Sequence, residues 1–391
     1  MQTEESYDFI GVGSYGCVIK PQSGETILKL FNNEEAYIKE LEENELIEEF
    51  DKEKKFTVKL INSEKLIKTA EIQTVLKTNC GNLFKKSIPD QIFKIEYENG
   101  GIDLHELFKE KNKETLNKIN INDFFKAFIN IFEGIKTINE KKHTHFDIKH
   151  NNIVFNIKNN KFSLIDFGLL VKTEEIYYSD NLLYDEYVFY PPEYTIVSYF
   201  YFKDYKKKDK GKYDEEILLY KSIDAMRLKL YPDCSTNKEI NTIIKIFFTK
   251  FDDIISPTKK LFEELDKIFG NIKNLSDFYS IEDKKKIIEH YLPSHVDDDE
   301  KILSKYINDA CDSIYGLGND IKSKFDVFML GNALLYVVIK MCCSKYVNLT
   351  TIKPETIKKI LDVILNMIHP NPCLRYSSEQ AFNAYKDIFH P

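Results

Sequence analysis

The sequence predicts an α+β fold, with a small, mainly β part that carries one helix and a larger, mainly α part after it. Three observations predict it. Short apolar runs (Ile153, Val154, Phe155; Phe162, Leu164, Ile165) adjoin the segments H-F-D-I-K-H-N-N (His145–Asn152) and L-I-D-F-G (Leu164–Gly168), which fits two short strands carrying a loop and a turn. Residues Glu34 to Phe50 form an acidic run with helical spacing, in which Leu46, Ile47 and Phe50 stand at i+3, i+4 and i+7 from Glu43. Ile121 to Asn139 repeats the pattern with Phe124, Phe125, Phe128, Ile131, Phe132 and Ile135 on one stripe, which reads as core.

The two motif segments carry the most chemistry. They set Asp147, Lys149 and Asn152 on one loop and Asp166 on a turn just downstream. Phosphoryl transfer needs a carboxylate to orient a hydroxyl, oxygen ligands for Mg²⁺ and a cation near the γ-phosphate. Residues of those three kinds stand here within about two dozen positions.

These segments resemble the catalytic loop and D-F-G motif of eukaryotic-type protein kinases, and the remaining elements of that family appear in order. Gly11-Val12-Gly13-Ser14-Tyr15-Gly16-Cys17-Val18 fits G-x-G-x-x-G-x-V, whose glycines let backbone N–H groups approach phosphates without Cβ obstruction. Thr26-Ile27-Leu28-Lys29 is similar to the strand supplying the α/β-phosphate lysine. Glu43, beside the apolar face of its helix, is the expected partner of Lys29, with Glu40 the runner-up. Ile92–Glu98 followed by Asn99-Gly100-Gly101 resembles the strand and hinge that hold adenine. That places Ile95 as gatekeeper, the backbone of Glu96 and Glu98 at the base edge, and Asp103 at the ribose; Val18 and Val154 complete the nucleotide set. Phe189–Glu193 resembles the A-P-E end of the activation segment, with proline for alanine. Asp326–Gly331 resembles D-x-W-S-x-G, with Phe328 for tryptophan, and Asn371–Arg375 resembles N-P-x-x-R. In the family that arginine pairs with the A-P-E glutamate, here Arg375 with Glu193.

The resemblance implies a bilobal kinase fold: a tail at 1–8, an N-lobe at 9–98 and a C-lobe at 99–391, with a helical insertion at about 194–321. It implies Mg²⁺–ATP bound between the lobes, with two metal sites and Mn²⁺ as an alternative ion. Lys29 would hold the α/β-phosphates, Asp166 one Mg²⁺ and Asn152 the second. Asp147 would accept or aim the substrate hydroxyl proton, and Lys149 would neutralise the transferring phosphoryl group. His145 reads as a packed imidazole with a structural role. A lysine two residues after the catalytic aspartate is the serine/threonine pattern, although Leu182–Glu193 contains no Ser or Thr. The alternative is a pseudokinase that binds nucleotide and partners without transfer; the lysine and both aspartates that such proteins commonly lose are present. Small-molecule kinases of the choline or aminoglycoside type share H-x-D-x-x-x-x-N, but usually lack the lysine of this loop and carry I-D-W/F-E.

Two departures bear on regulation and the pocket. Phe146 replaces the arginine that normally grips a phosphorylated activation loop, so activity is expected not to need phosphorylation at Thr173, Tyr177, Tyr178 or Ser179. Ile27 stands where most kinases place alanine over the adenine.

Composition sets limits. A net charge of −8, with lysines interspersed among acidic residues, argues against a general nucleic-acid-binding surface. The apolar stretches fall short of a membrane span; residues 333–343 fit a buried helix instead. Seven cysteines without a C-x-x-C pair read as reduced thiols in an intracellular protein. The eight histidines show no metal-ligand spacing. The expected partners are ATP and a protein substrate, with neither nucleic acid nor membrane. Insertion 194–321 is either a docking surface for partners or substrates, or structural padding. The motif spacing, absent tryptophan and Ile/Lys/Asn-rich composition resemble kinases of large cytoplasmic DNA viruses, which implies a location in host cytoplasm or the virion.

Overall fold

A computed structural model describes residues 7–12, 16–22, 24–67, 91–176, 319–342, 346–368 and 375–390, together with 73–74, 76–77, 80–81, 84, 190–191 and 344. The chain divides into two compact units: Met1–Asp103 with Asn152–Gly168, and Leu104–Asn151 with Leu169–Pro391. The architecture is α+β, with an antiparallel sheet first and helices after it.

The first unit is built on five strands: β1 (Tyr7–Val12), β2 (Gly16–Pro21), β3 (Thr26–Phe31), β4 (Leu60–Ile67) and β5 (Gln91–Glu98), in spatial order β1-β2-β3-β5-β4. Side chains alternate across the sheet. Cys17, Ile19, Leu28, Leu30 and Ile92 fall on one face, under Leu76, Cys80 and Phe84. Phe31, Phe93 and Ile95 fall on the other, where they meet Tyr37 of helix α1 (Glu34–Phe50). Both faces are therefore covered. On the first of them Cys17 and Cys80 form a disulfide, with Cα atoms 5.7 Å apart across 63 residues of chain. This corrects the expectation that all cysteines are reduced. Cys342 is free and buried, and the other four cysteines lie outside the described residues.

Helix α1 starts because the Asn33 side chain accepts the Ala36 N–H, and its first turn carries Glu34 and Glu35 at the positive end of the helix dipole. It stops at Asp51, whose buried carboxylate accepts from the N–H groups of Lys55, Phe56 and Thr57. That folded turn reaches the last sheet of the unit, in which β6 (Ile102–Asp103), β8 (Ile153–Asn156) and β9 (Lys161–Leu164) lie in the order β6-β8-β9. Leu164 N–H donates to Phe56 O at 2.7 Å. Gly101 has φ +107°, and a Cβ there would sit 2.0 Å from Phe155 O, so only glycine fits at this crossing.

In the second unit, short helices α2 (Leu104–Leu107) and α3 (Lys113–Leu116) lead to α4 (Ile121–Ala127) and α5 (Ile129–Glu140). The predicted aromatic stripe is fully buried there. Phe132 stacks on Tyr385 at 4.2 Å, and the Tyr385 hydroxyl donates to Phe125 O at 2.7 Å. A two-stranded pair joins β7 (His143–Thr144) to β10 (Val171–Lys172). Three longer helices follow among the described residues: α6 (Asn319–Cys342), α7 (Pro354–Met367) and α8 (Ser378–Phe389), the last opened by a capping box of Ser377 and Gln380. A Cβ on Gly331 would lie 2.6 Å from Ile368, so glycine lets α6 approach the end of α7. Lys322–Cys342 is long and apolar enough to cross a membrane, but most of it is buried within the fold, as a core helix is. The expected core segment 333–343 forms the end of this helix up to Cys342. The expected insertion lies outside the described residues except for the start of α6.

Candidate active site

In the first unit Lys29 extends from β3 and its Nζ donates to Glu40 Oε2 at 2.7 Å. The expected partner was Glu43, and the structure corrects this by one helical turn. The inward stripe of α1 runs Tyr37, Glu40, Leu41, Asn44, Ile47, at spacings of three and four. It is polar in its middle, so the apolar neighbours of α1 point to Glu43 although Glu40 faces the lysine. Asn44 Nδ2 donates to Glu40 O at 2.6 Å and to the Tyr97 hydroxyl at 2.9 Å, and that hydroxyl donates to Glu40 Oε1 at 2.9 Å. Glu43 lies beside Lys39, at 3.6 Å. Burial, and then the nearby Glu40 carboxylate, push the Glu43 carboxyl up to about 7. Lys39 also donates to Gly168 O at 3.3 Å, which ties α1 to the D-F-G glycine.

Gly16 makes room for the lysine, since a Cβ there would meet the Lys29 side chain at 3.3 Å. Val18 is the register partner of Lys29 and shares its face, and Gly11 pairs with Val18. Gly13 lies outside the described residues. Ile95, the expected gatekeeper, is fully buried among Phe31, Tyr37 and Phe93. The side chain that reaches the lysine's glutamate is Tyr97, two residues on. The backbone of Glu96 and Glu98, expected at the adenine edge, lies at the end of β5. Glu96 is in the middle strand of three, paired with Leu28 on one side and Asn62 on the other. Glu98 N–H is committed to Lys59 O at 2.9 Å. A central strand uses its backbone groups in its own ladders. Beyond it, a Cβ on Gly100 would strike Val58 and Val154 at 2.5 and 2.8 Å, and Asp103 pairs with Val154.

Asp166 is exposed, at φ +62°, in the left-handed region that aspartate tolerates better than most residues. Ile165 N–H donates to Asn152 O at 3.0 Å, which anchors the residue before Asp166 to the start of β8. Asn152 itself is 5% exposed. A carboxylate and an amide oxygen are hard donors suited to Mg²⁺. Among the described residues no group of three His, Cys, Asp or Glu side chains could hold a metal.

In the second unit Lys149 Nζ donates to both carboxylate oxygens of Asp147, at 3.0 and 2.9 Å. Asp147 N–H donates to His145 Nδ1 at 3.3 Å. Phe146 occupies φ +63°, a conformation costly for a bulky residue. Asp326 of α6 holds it there, accepting from His145 N–H at 2.7 Å and Phe146 N–H at 2.9 Å. Burial raises the Asp326 carboxyl to about 7, although both hydrogen bonds oppose the rise. The Phe146 ring is buried 4.9 Å from that of Tyr190 and 6.0 Å from that of Phe325. His150 lies against His105 and Tyr336; burial and the adjacent His105 depress its imidazole to about 4, so it is neutral at pH 7. Thr173 is buried and shares a hydrogen bond with Thr144 at 3.0 Å, which removes it from the accessible phosphorylation sites. Arg375 is buried with its guanidinium 4.7 Å from the Phe328 ring centre. Its expected partner Glu193 lies outside the described residues.

A family profile described as "Protein tyrosine and serine/threonine kinase" matches residues 5–204. The chain belongs to the protein kinase family. It is also 36% identical over 91 residues to the "Probable serine/threonine-protein kinase FPV212" of Fowlpox virus (strain NVSL), a match covering 23% of this chain and 27% of that protein. This kinase chain thus aligns with only about a quarter of that relative's length. Sequence reasoning missed two of its polar residues, Tyr97 and Asn44. Their signals were present: Tyr97 continues the Phe93–Ile95 face at period two, and Asn44 stands four residues after Glu40.

Proposed function

We propose that the chain is an ATP-dependent serine/threonine protein kinase, transferring the γ-phosphate of Mg²⁺–ATP to protein hydroxyls. The observation that carries this is the Asp147–Lys149 pair at 2.9 Å, on a loop that continues directly into Asn152. Asp147 aims the substrate hydroxyl and takes its proton as the new O–P bond forms and the bond to the β-phosphate oxygen breaks, releasing ADP. Lys149 offsets charge on the transferring phosphoryl group. Lys29, oriented by Glu40, holds the α/β-phosphates. Asp166 and Asn152 would bind the divalent ions, one each; the ions supply charge neutralisation at the phosphates. Serine/threonine specificity is supported by Lys149 and by the name of the viral relative. The composition and motif spacing support the further proposal of a viral protein acting in host cytoplasm or the virion.

The test is incubation with labelled ATP, Mg²⁺ and a peptide array, beside the Asp147→Asn variant. Transfer to Ser or Thr peptides is expected, falling about 10³-fold in the variant, within the range that positioned acid–base groups supply. Wild-type protein that binds ATP yet transfers nothing supports the pseudokinase reading instead.

A further inference from the structure

We infer that Tyr97 is a positioning residue for phosphoryl transfer, acting through Glu40 to fix the phosphate-binding Lys29. This rests on the function proposed above. The two Glu40 oxygens have different partners: Oε2 accepts from Lys29 Nζ at 2.7 Å, and Oε1 accepts from the Tyr97 hydroxyl at 2.9 Å. The hydroxyl in turn accepts from Asn44 Nδ2 at 2.9 Å, and the same amide donates to Glu40 O at 2.6 Å. The phenol therefore donates once and accepts once, its natural capacity.

The consequence follows from carboxylate geometry. A glutamate with one partner turns freely about its last torsion, which is broad and two-fold. A glutamate held at both oxygens presents one lone-pair direction to the lysine. Tyr97 comes from β5, paired with Ile27 and two residues from Ile95, the register partner of Lys29. Strand and helix are thereby bonded to each other through the side chain that orients the lysine. Burial and the neighbouring Glu40 carboxylate push the phenol well above its ordinary range, so it remains a proton donor throughout the working pH range. Lys29, Glu40, Asn44 and Tyr97 all belong to the first unit.

The test is Tyr97→Phe, which keeps the ring and removes only the hydroxyl. Expected is a fall in kcat of roughly tenfold to thirtyfold with KM for ATP changed less than about twofold, the pattern of an interaction that matters in the transition state. The double variant Tyr97→Phe/Glu40→Gln is expected to be no worse than Glu40→Gln alone, because the hydroxyl acts only through that carboxylate. Asn44→Ala, which retains the phenol but removes its donor, is expected to lower kcat in the same direction by a smaller factor, and it serves if Tyr97→Phe does not fold. Unchanged kcat in both single variants overturns the inference, as does full additivity with Glu40→Gln, which would mark a purely structural role. If those results come from wild-type protein that phosphorylates peptides, only this inference fails. Wild-type protein that transfers no phosphate overturns the proposed function and the inference together.

Discussion

Two lysine–carboxylate pairs lie in the two units, and they are built in opposite ways. Lys149 and Asp147 are two residues apart, and one loop supplies both. Lys29 and Glu40 are eleven apart, on a strand and on the helix that follows it. The loop pair takes its shape from outside, since Asp326, some 180 residues away in sequence, accepts the two N–H groups that hold Phe146 in its strained conformation. The strand–helix pair takes its shape from its own neighbourhood, through Tyr97 and Asn44. A local pair needs a distant clamp, whereas a distant pair carries its own.

The largest effect should come from breaking the distant clamp. Asp326→Ala deprives two buried N–H groups of their acceptor, at about 1–3 kcal/mol each, and releases the left-handed residue beside Asp147. Thermal melting should show a loss of several degrees, with activity falling further than stability accounts for. A melt within a degree of wild type would mean that the loop holds itself.

The next effect separates the two glutamates of α1. Glu40→Ala should lower kcat/KM for ATP by roughly thirtyfold to a hundredfold, the scale of a lost charged hydrogen bond, and Glu43→Ala by less than about threefold. Steady-state kinetics in which Glu43 proved the costlier loss would restore the partner expected from sequence.

A smaller effect is visible in pH. The Glu43 carboxyl stands at about 7 in the fold against a model-peptide value of 4.5. The native state therefore holds this proton more tightly than the unfolded chain does. Stability from this group is fully present below pH 4.5 and is lost as pH rises to about 7. Glu43→Gln should match wild type near pH 4.5 and be more stable at pH 8, by on the order of 2 kcal/mol. Denaturant melts with a constant difference across that range would show that the carboxyl is not perturbed.

The smallest expected effect is none. Phe146 packs against Tyr190 and Phe325, where the family places an arginine for a phosphate. Phosphatase treatment should leave turnover unchanged. Loss of turnover, restored by phosphorylation at Tyr177, Tyr178 or Ser179, would break this reading.

What the sequence disclosed follows the same division. The loop at 145–152 and the turn at 164–168 were legible because their chemistry sits on contiguous residues, where spacing alone sets geometry. The aromatic stripe of α4 and α5 was legible because burial there is purely apolar. The partner of Lys29 was misread because polar side chains line the inner face of α1, and a hydrophobic pattern cannot show a buried hydrogen-bond network. The place of β5 in the middle of its sheet was not legible either, since whether a strand is central or at an edge depends on β4, its partner from an earlier part of the chain. The bond between Cys17 and Cys80 was invisible because no spacing rule joins cysteines so far apart.

That bond has a practical meaning for every experiment above. A sample kept in thiol reductant and one kept in air differ by two hydrogens, and are different covalent molecules. In the oxidised one, the strand that begins at Gly16 is joined to Cys80 on the face of the sheet opposite α1. Titrating free thiols before each assay would establish which of the two is being measured.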